Sequence, residues 1–160
     1  MISEQDRVHL RRCVELAASA LAAGDEPFGS VLVSSDGEVL FEDCNRVAGG
    51  DHTQHPEFAI ARWAAQNMSP EERSRATVYT SGEHCPMCAA AHGWVGLGRI
   101  VYASSSKQLS AWLSELGVPP PRVRPLPIGD VITDTVIDGP DEELAAQVHP
   151  LHLKFIRGRK

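Results

Sequence analysis

The sequence predicts an α/β fold. Two observations support it: most of the chain alternates short β-branched stretches with segments of helical apolar spacing, and each helical segment has one apolar face to bury. Together they imply a sheet layered with helices. At 160 residues, with 42% hydrophobic and 22% charged side chains and no internal repeat, the chain is expected to form one soluble domain over 1–160.

Each element has its own signal. Ser3 caps a first helix whose Leu10, Cys13, Val14, Ala17 and Leu21 share one face until Gly24 stops it. "PFGSVLVSSDGEVLFEDCNRV" reads as two strands around a Ser-Asp-Gly turn, a hairpin. After the Gly-Gly-Asp loop at 49–51, Phe58, Ile60, Ala61, Ala64 and Ala65 mark a second helix running to about Met68. "ATVYT" is a strand, a helix starts at about Pro86, and "RIVYA" and "SKQLSAWLSEL" supply the next strand and helix. Residues 117–129 hold five prolines and form an extended connection, because proline suits neither a helix interior nor a central strand. The tail follows as a strand in "DVITDTVI" and a helix in "DEELAAQVHPLHLKF", which Pro150 is expected to kink or end.

Composition narrows the setting. No apolar run approaches the roughly 18 residues of a membrane span. The start, "MISEQDRVHLRRC", lacks the basic, apolar and small-residue succession of a secretory leader, so the expected compartment is the cytoplasm. Four cysteines are few for a disulfide framework, and in a reducing compartment a close pair points to metal or redox chemistry. A net charge of -6 weighs against nucleic acid as a partner, although Arg157, Arg159 and Lys160 make a local basic end.

The chemistry concentrates in two stretches. His55, Pro56 and Glu57 stand where a loop passes into a helix, and Cys85 likewise precedes Pro86. Proline suits a first helical position, where its missing N–H would have been unpaired. Both helices therefore begin at potential ligands, with the positive ends of their dipoles beside them. His55, Cys85 and Cys88 are three ligands of the kinds zinc prefers, and Cys88 lies three residues beyond Cys85, on the same helical side. A structural zinc site is closed by four protein ligands, whereas a catalytic one keeps a position for water and lowers its pKa towards ~7. Glu57, two residues from His55, can reach such a water without ligating the metal and can carry its proton to a leaving amine. That set suits hydrolytic deamination.

Other readings of these residues stay open. Cys85-x-x-Cys88 alone fits a redox pair, which has no use for His55-Pro56-Glu57. His52, His84 or His92 could close a four-ligand structural site. Cys13 and Cys44 read as small buried hydrophobes, and Trp63 and Trp112 as packing residues.

On its paired motifs the sequence resembles the zinc-dependent cytidine deaminase-like superfamily, whose signature is H-x-E followed by P-C-x-x-C. His55-x-Glu57 and Cys85-x-x-Cys88 match it, and "PFGSVLV", "CNRV" and "CPMCAAAHGW" are similar to the guanine deaminase and tRNA adenosine deaminase branch. The likeness covers roughly residues 5–116. It implies a three-layer α/β/α sandwich with a five-stranded mixed sheet, one zinc per active site, Glu57 as proton shuttle, and a homodimer. It also implies that Asn45 hydrogen-bonds the substrate ring, that Phe28 and Trp94 wall the pocket, and that Glu115 accepts from guanine ring donors. Two positions depart from the family pattern. His84 stands where proline is usual and is expected to add a polar group at the pocket rim. Pro56 stands where alanine is frequent, and without a backbone N–H it cannot hold a substrate oxygen.

The activity expected from this resemblance is deamination of a small aminated heterocycle, guanine first and cytosine-like or triazine-like rings next. A tRNA adenosine deaminase shares the same zinc motifs and is the enzymatic alternative. A noncatalytic zinc-stabilised interaction protein is the other, and there Glu57 would have little purpose. The segment "HPLHLKF", with Phe155, is expected to pack over a pocket, its own or a partner subunit's.

Overall fold

The chain threads its sheet through one hairpin and two parallel crossovers. Residues 1–159 are described by the computed structural model, and Lys160 of the basic C-terminal end lies outside the described residues. β1 (Gly29–Val33) and β2 (Val39–Cys44) form the hairpin about a tight turn, in which the Ser34 N–H donates to the Glu38 carbonyl. β3 (Thr77–Gly82) lies antiparallel to β1, and β4 (Ile100–Ser104) and the two-residue β5 (Ile137–Asp138) then add in parallel. The order is β2-β1-β3-β4-β5, a five-stranded mixed sheet as expected.

Helices cover both faces of the sheet, giving three layers. On one face α1 (Glu4–Ala22) and α6 (Glu142–Gly158) bring Leu10, Cys13, Leu16, Leu144 and Val148 against Val31, Val33, Tyr79 and Val101. On the other, Ile60, Ala61 and Ala64 of α2 (Pro56–Asn67) pack on Leu32 and Val78, and Ala89 of α4 (Pro86–Trp94) packs on Ile100. The alternation along β1 sorts Val31 and Val33 to the first face and Ser30 and Leu32 to the second, as the two-residue period of a strand requires. Gly29 allows β1 to lie directly on α1: a Cβ there would come within 2.4 Å of Leu16 Cβ and 2.5 Å of the Cys13 carbonyl oxygen.

The N-terminal cap is fuller than Ser3 alone suggests. Ser3 Oγ accepts from the Asp6 N–H at 3.1 Å while the Ser3 N–H donates to Asp6 Oδ2 at 2.8 Å, a capping box. A short helix, α3 (Pro70–Arg75), was not expected; its signal is Ser69-Pro-Glu-Glu72, another capping box with proline at the first position. α5 (Ser106–Glu115) starts with a third, from Ser105 and Gln108.

One expectation about the tail is corrected and another narrowed. "DVITDTVI" is not one strand: a single helical turn at Ile128–Asp130 precedes turns, and only Ile137 and Asp138 join the sheet. Its apolar side chains go elsewhere, Ile132 packing with Ala89 beneath α4. Pro150 does not end α6, which continues to Gly158. Pro150 and Ala146, the residue whose carbonyl loses its helical donor, are both exposed, so water can satisfy that carbonyl. The proline-rich connection is exposed from Pro119 to Pro127 and contains neither helix nor strand there. No helix among the described residues is long and apolar enough to cross a membrane.

Candidate metal centre

Two helix starts meet at the end of β3. His55 is the N-cap of α2 and Cys85 the N-cap of α4, each followed by a proline at the first helical position. His55 Nδ1 lies 3.5 Å from Cys85 Sγ and 3.5 Å from Cys88 Sγ. The ligand atoms of the three all lie within 4.8 Å of one another, and among the described residues neither His52, His84 nor His92 joins them as a fourth.

The donor set suits a metal cation. The Cys88 thiol draws Cys85 down to about 4 against the opposing effect of burial, and His55 adds to the pull. Cys88 is pushed far up in return, and the hydrogen bond to Cys85 pushes His55 up to about 9. One negative sulfur is thus held among shared protons. A divalent ion amid two sulfurs and an imidazole nitrogen would displace those protons, and zinc is the ion such a mixed soft set prefers.

Glu57 lies in the first turn of α2, 6% exposed. Its Oε1 accepts from Ser30 Oγ at 2.9 Å and from Thr80 Oγ1 at 3.2 Å. Burial pushes its carboxyl above the ordinary range, and the charge on His55 and the Ser30 hydroxyl oppose the rise. Neither hydroxyl was singled out from the sequence. The available signal was a serine inside the otherwise apolar "GSVLV" and a threonine inside "TVYTSG".

Asn45, just after β2, is 1% exposed. Its N–H donates to the Phe28 carbonyl at 3.0 Å and its Oδ1 accepts from the Val47 N–H at 3.1 Å, neither of which uses the Nδ2 donor. Phe28 is half-buried, its ring close over Gly82 and edge-on to His152 of α6 at 5.0 Å. The C-terminal helix therefore lies on its own domain, with His149 stacked on Trp112 at 4.4 Å. Phe155 is half-buried, with the Arg159 guanidinium 5.4 Å from its ring centre.

The remaining predicted residues range from fully buried to almost fully exposed. His84 is fully buried rather than at a rim, edge-on to His92 at 5.4 Å, and neither of its ring nitrogens has a partner among the described residues. Trp94 ends α4 and is 90% exposed. Glu115 ends α5, also exposed. Glu83 is a residue the sequence reading passed over. Its carboxylate accepts from the Ser106 N–H and the Ile128 N–H, both at 2.9 Å, and so ties the loop before Cys85 to the start of α5 and the end of the proline-rich connection.

Comparison with known proteins agrees with this geometry. Residues 3–104 match the family model described as the cytidine and deoxycytidylate deaminase zinc-binding region. A probable cytosine deaminase of Schizosaccharomyces pombe is 32% identical over 120 residues, 75% of this chain and 73% of the relative. A guanine deaminase of Bacillus subtilis is 36% identical over 97 residues, 59% of this chain and 62% of the relative. Among solved structures, a chain from a study of A-to-I editing by tRNA:A34 deaminases superimposes with a TM-score of 0.57 at 28% identity, covering 83% of this chain and 98% of that one.

Proposed function

Since the chain belongs to the cytidine and deoxycytidylate deaminase zinc-binding family, we propose that it is a hydrolytic deaminase of free aminated nucleobases or related heterocycles, guanine first and cytosine-like or triazine-like rings next. One observation carries the proposal: a buried carboxylate, Glu57, two residues from His55 in a three-ligand set with no fourth protein ligand among the described residues. A closed structural site would have no use for that carboxylate.

His55, Cys85 and Cys88 would hold the zinc. When bound, zinc supplies Lewis-acid activation of water. Glu57 takes a proton from the attacking water and delivers protons to the ring nitrogen and then to the departing amine, so that amine and water become carbonyl and ammonia. Its burial keeps that proton from bulk solvent. Asn45 Nδ2 donates to the ring, and Phe28 offers it an apolar face. Pro56, buried at the first position of α2, provides no N–H, which favours rings that do not need an oxygen held there.

The net charge of -6 supports a small-molecule substrate over RNA. The exposed Trp94 at the end of α4 supports a homodimer in which a second copy covers it.

The test is ammonia release from zinc-loaded protein across guanine, cytosine, adenine, amino-triazines, their nucleosides and a tRNA anticodon stem, with Glu57→Ala as control. Turnover of a free base, lost in the control, is the expected result. Release from RNA alone would move the protein to the tRNA-modifying reading. Unaltered behaviour of Glu57→Ala towards all of these would leave the noncatalytic one.

A further inference from the structure

The face of the sheet beneath α2 is apolar except at one place. Leu32 and Val78 pack there against Ile60, Ala61 and Ala64, and Ser30 and Thr80, both fully buried, interrupt the pattern. Strand pairing makes them direct cross-strand neighbours, Ser30 opposite Thr80, so their hydroxyls stand side by side with Oγ to Oγ1 at 2.9 Å. A buried hydroxyl costs free energy unless it is hydrogen-bonded, and alanine and valine would fill these positions without that cost. What lies over the pair is the first turn of α2, and both hydroxyls address the same oxygen of Glu57, Oε1.

We propose that Ser30 and Thr80 are positioning residues that pin Oε1 of Glu57 and so assign Oε2 as the oxygen that exchanges protons with water and substrate. The inference rests on the shuttle reading of Glu57. A carboxylate side chain in a helix's first turn can turn about its last bond, where the torsional wells are broad. Two donors from a rigid sheet remove that freedom before any ligand arrives. Thr80 sits five residues before Cys85 and Ser30 one residue before Val31 of the core, so the grip on Glu57 is set by the same strands that place the metal loop. The arrangement orients the working group ahead of binding, and misplacement of such a group by about 1 Å is enough to cost ~100-fold in rate.

The experiment compares Ser30→Ala, Thr80→Val, the double variant and Thr80→Ser, which keeps the hydroxyl, with Glu57→Gln as control. Each is measured for zinc content, for kcat and KM on guanine and on cytosine, and for the 13Cδ chemical shift of Glu57 in the zinc-loaded protein. Expected are full zinc content, KM within about twofold, and kcat lower by about 10-fold in each single variant and ~100-fold in the double one, with Thr80→Ser close to wild type. The Glu57 shift should move in Ser30→Ala and Thr80→Val and stay in Thr80→Ser. Wild-type kcat in the double variant, with Glu57→Gln inactive, overturns this inference and leaves the shuttle intact. Loss of zinc along with turnover also overturns it, since the hydroxyls would then belong to the fold alone. An unmoved Glu57 shift overturns it without reference to any substrate. Full turnover in Glu57→Gln removes the shuttle reading and this inference with it.

Discussion

On the proposed reading, Glu57 and the residues that would hold zinc have two tasks that mutation can separate. Cys85→Ser or Cys88→Ser replaces a soft ligand by a hard, weakly acidic one, and such a variant should emerge from dialysis with little zinc, as metal analysis would record. Glu57→Gln should keep its zinc and lose about 10²–10⁴-fold in turnover, the contribution typical of a general acid and base. These residues were legible in the sequence because their signals are local: a histidine or cysteine before proline, a glutamate two positions on, a second cysteine one helical turn away. Ser30 and Thr80 were not, because what joins them to Glu57 is a strand pairing across 50 positions. Trp94, Glu115 and His84 show the converse. The family resemblance suggested pocket positions for them, while their placement at helix ends and in the core is decided by tertiary packing.

Elements, rather than residues, hold the centre in register. Glu83 accepts from two remote backbone amides, and Glu83→Ala would leave both without a partner while freeing the loop before Cys85. Zinc affinity is expected to fall about 10- to 100-fold in that variant, the usual effect of removing a group that orients ligands, and competition with a chelator would measure it. Gly29 plays the matching part for β1. Gly29→Ala brings a methyl group to 2.4 Å from Leu16 Cβ, so the strand or α1 must shift; about 1–3 kcal/mol of stability should be lost in urea unfolding. Helix starts and the hairpin could be read from the sequence because caps and turns are short-range. The tail was harder. A β-rich composition in 130–137 was used to pack Ile132 under α4, and the exposure of Ala146 and Pro150 made a proline tolerable inside a helix.

At the scale of the whole molecule, acid should act through a few buried groups. Burial holds His92 and His152 down to about 4 from the ordinary 6.5, with His149 adding to the effect on His152. Between these values the unfolded chain binds protons that the folded one refuses, so stability present above 6.5 is lost as the pH falls towards 4. Asp6 extends the decline. Burial alone would raise its carboxyl, but the Arg99 guanidinium, the Ser3 amide and the Tyr79 hydroxyl bring it far below the ordinary 3.8, so its contribution disappears as the pH falls below that value. Urea midpoints should therefore drop from pH 7 to 4 and again from 4 to 2. The exposed proline-rich connection has a different consequence. Of its two arginines, Arg124 is followed by proline and resists trypsin, which leaves the Arg122–Val123 bond as the place to nick. The larger fragment would keep His55, Glu57, Cys85 and Cys88, and the smaller would keep Leu144 and Val148, buried in the core against α1. The two pieces should stay together without a covalent link, so the protein is expected to work as a split enzyme reconstituted from separately made halves.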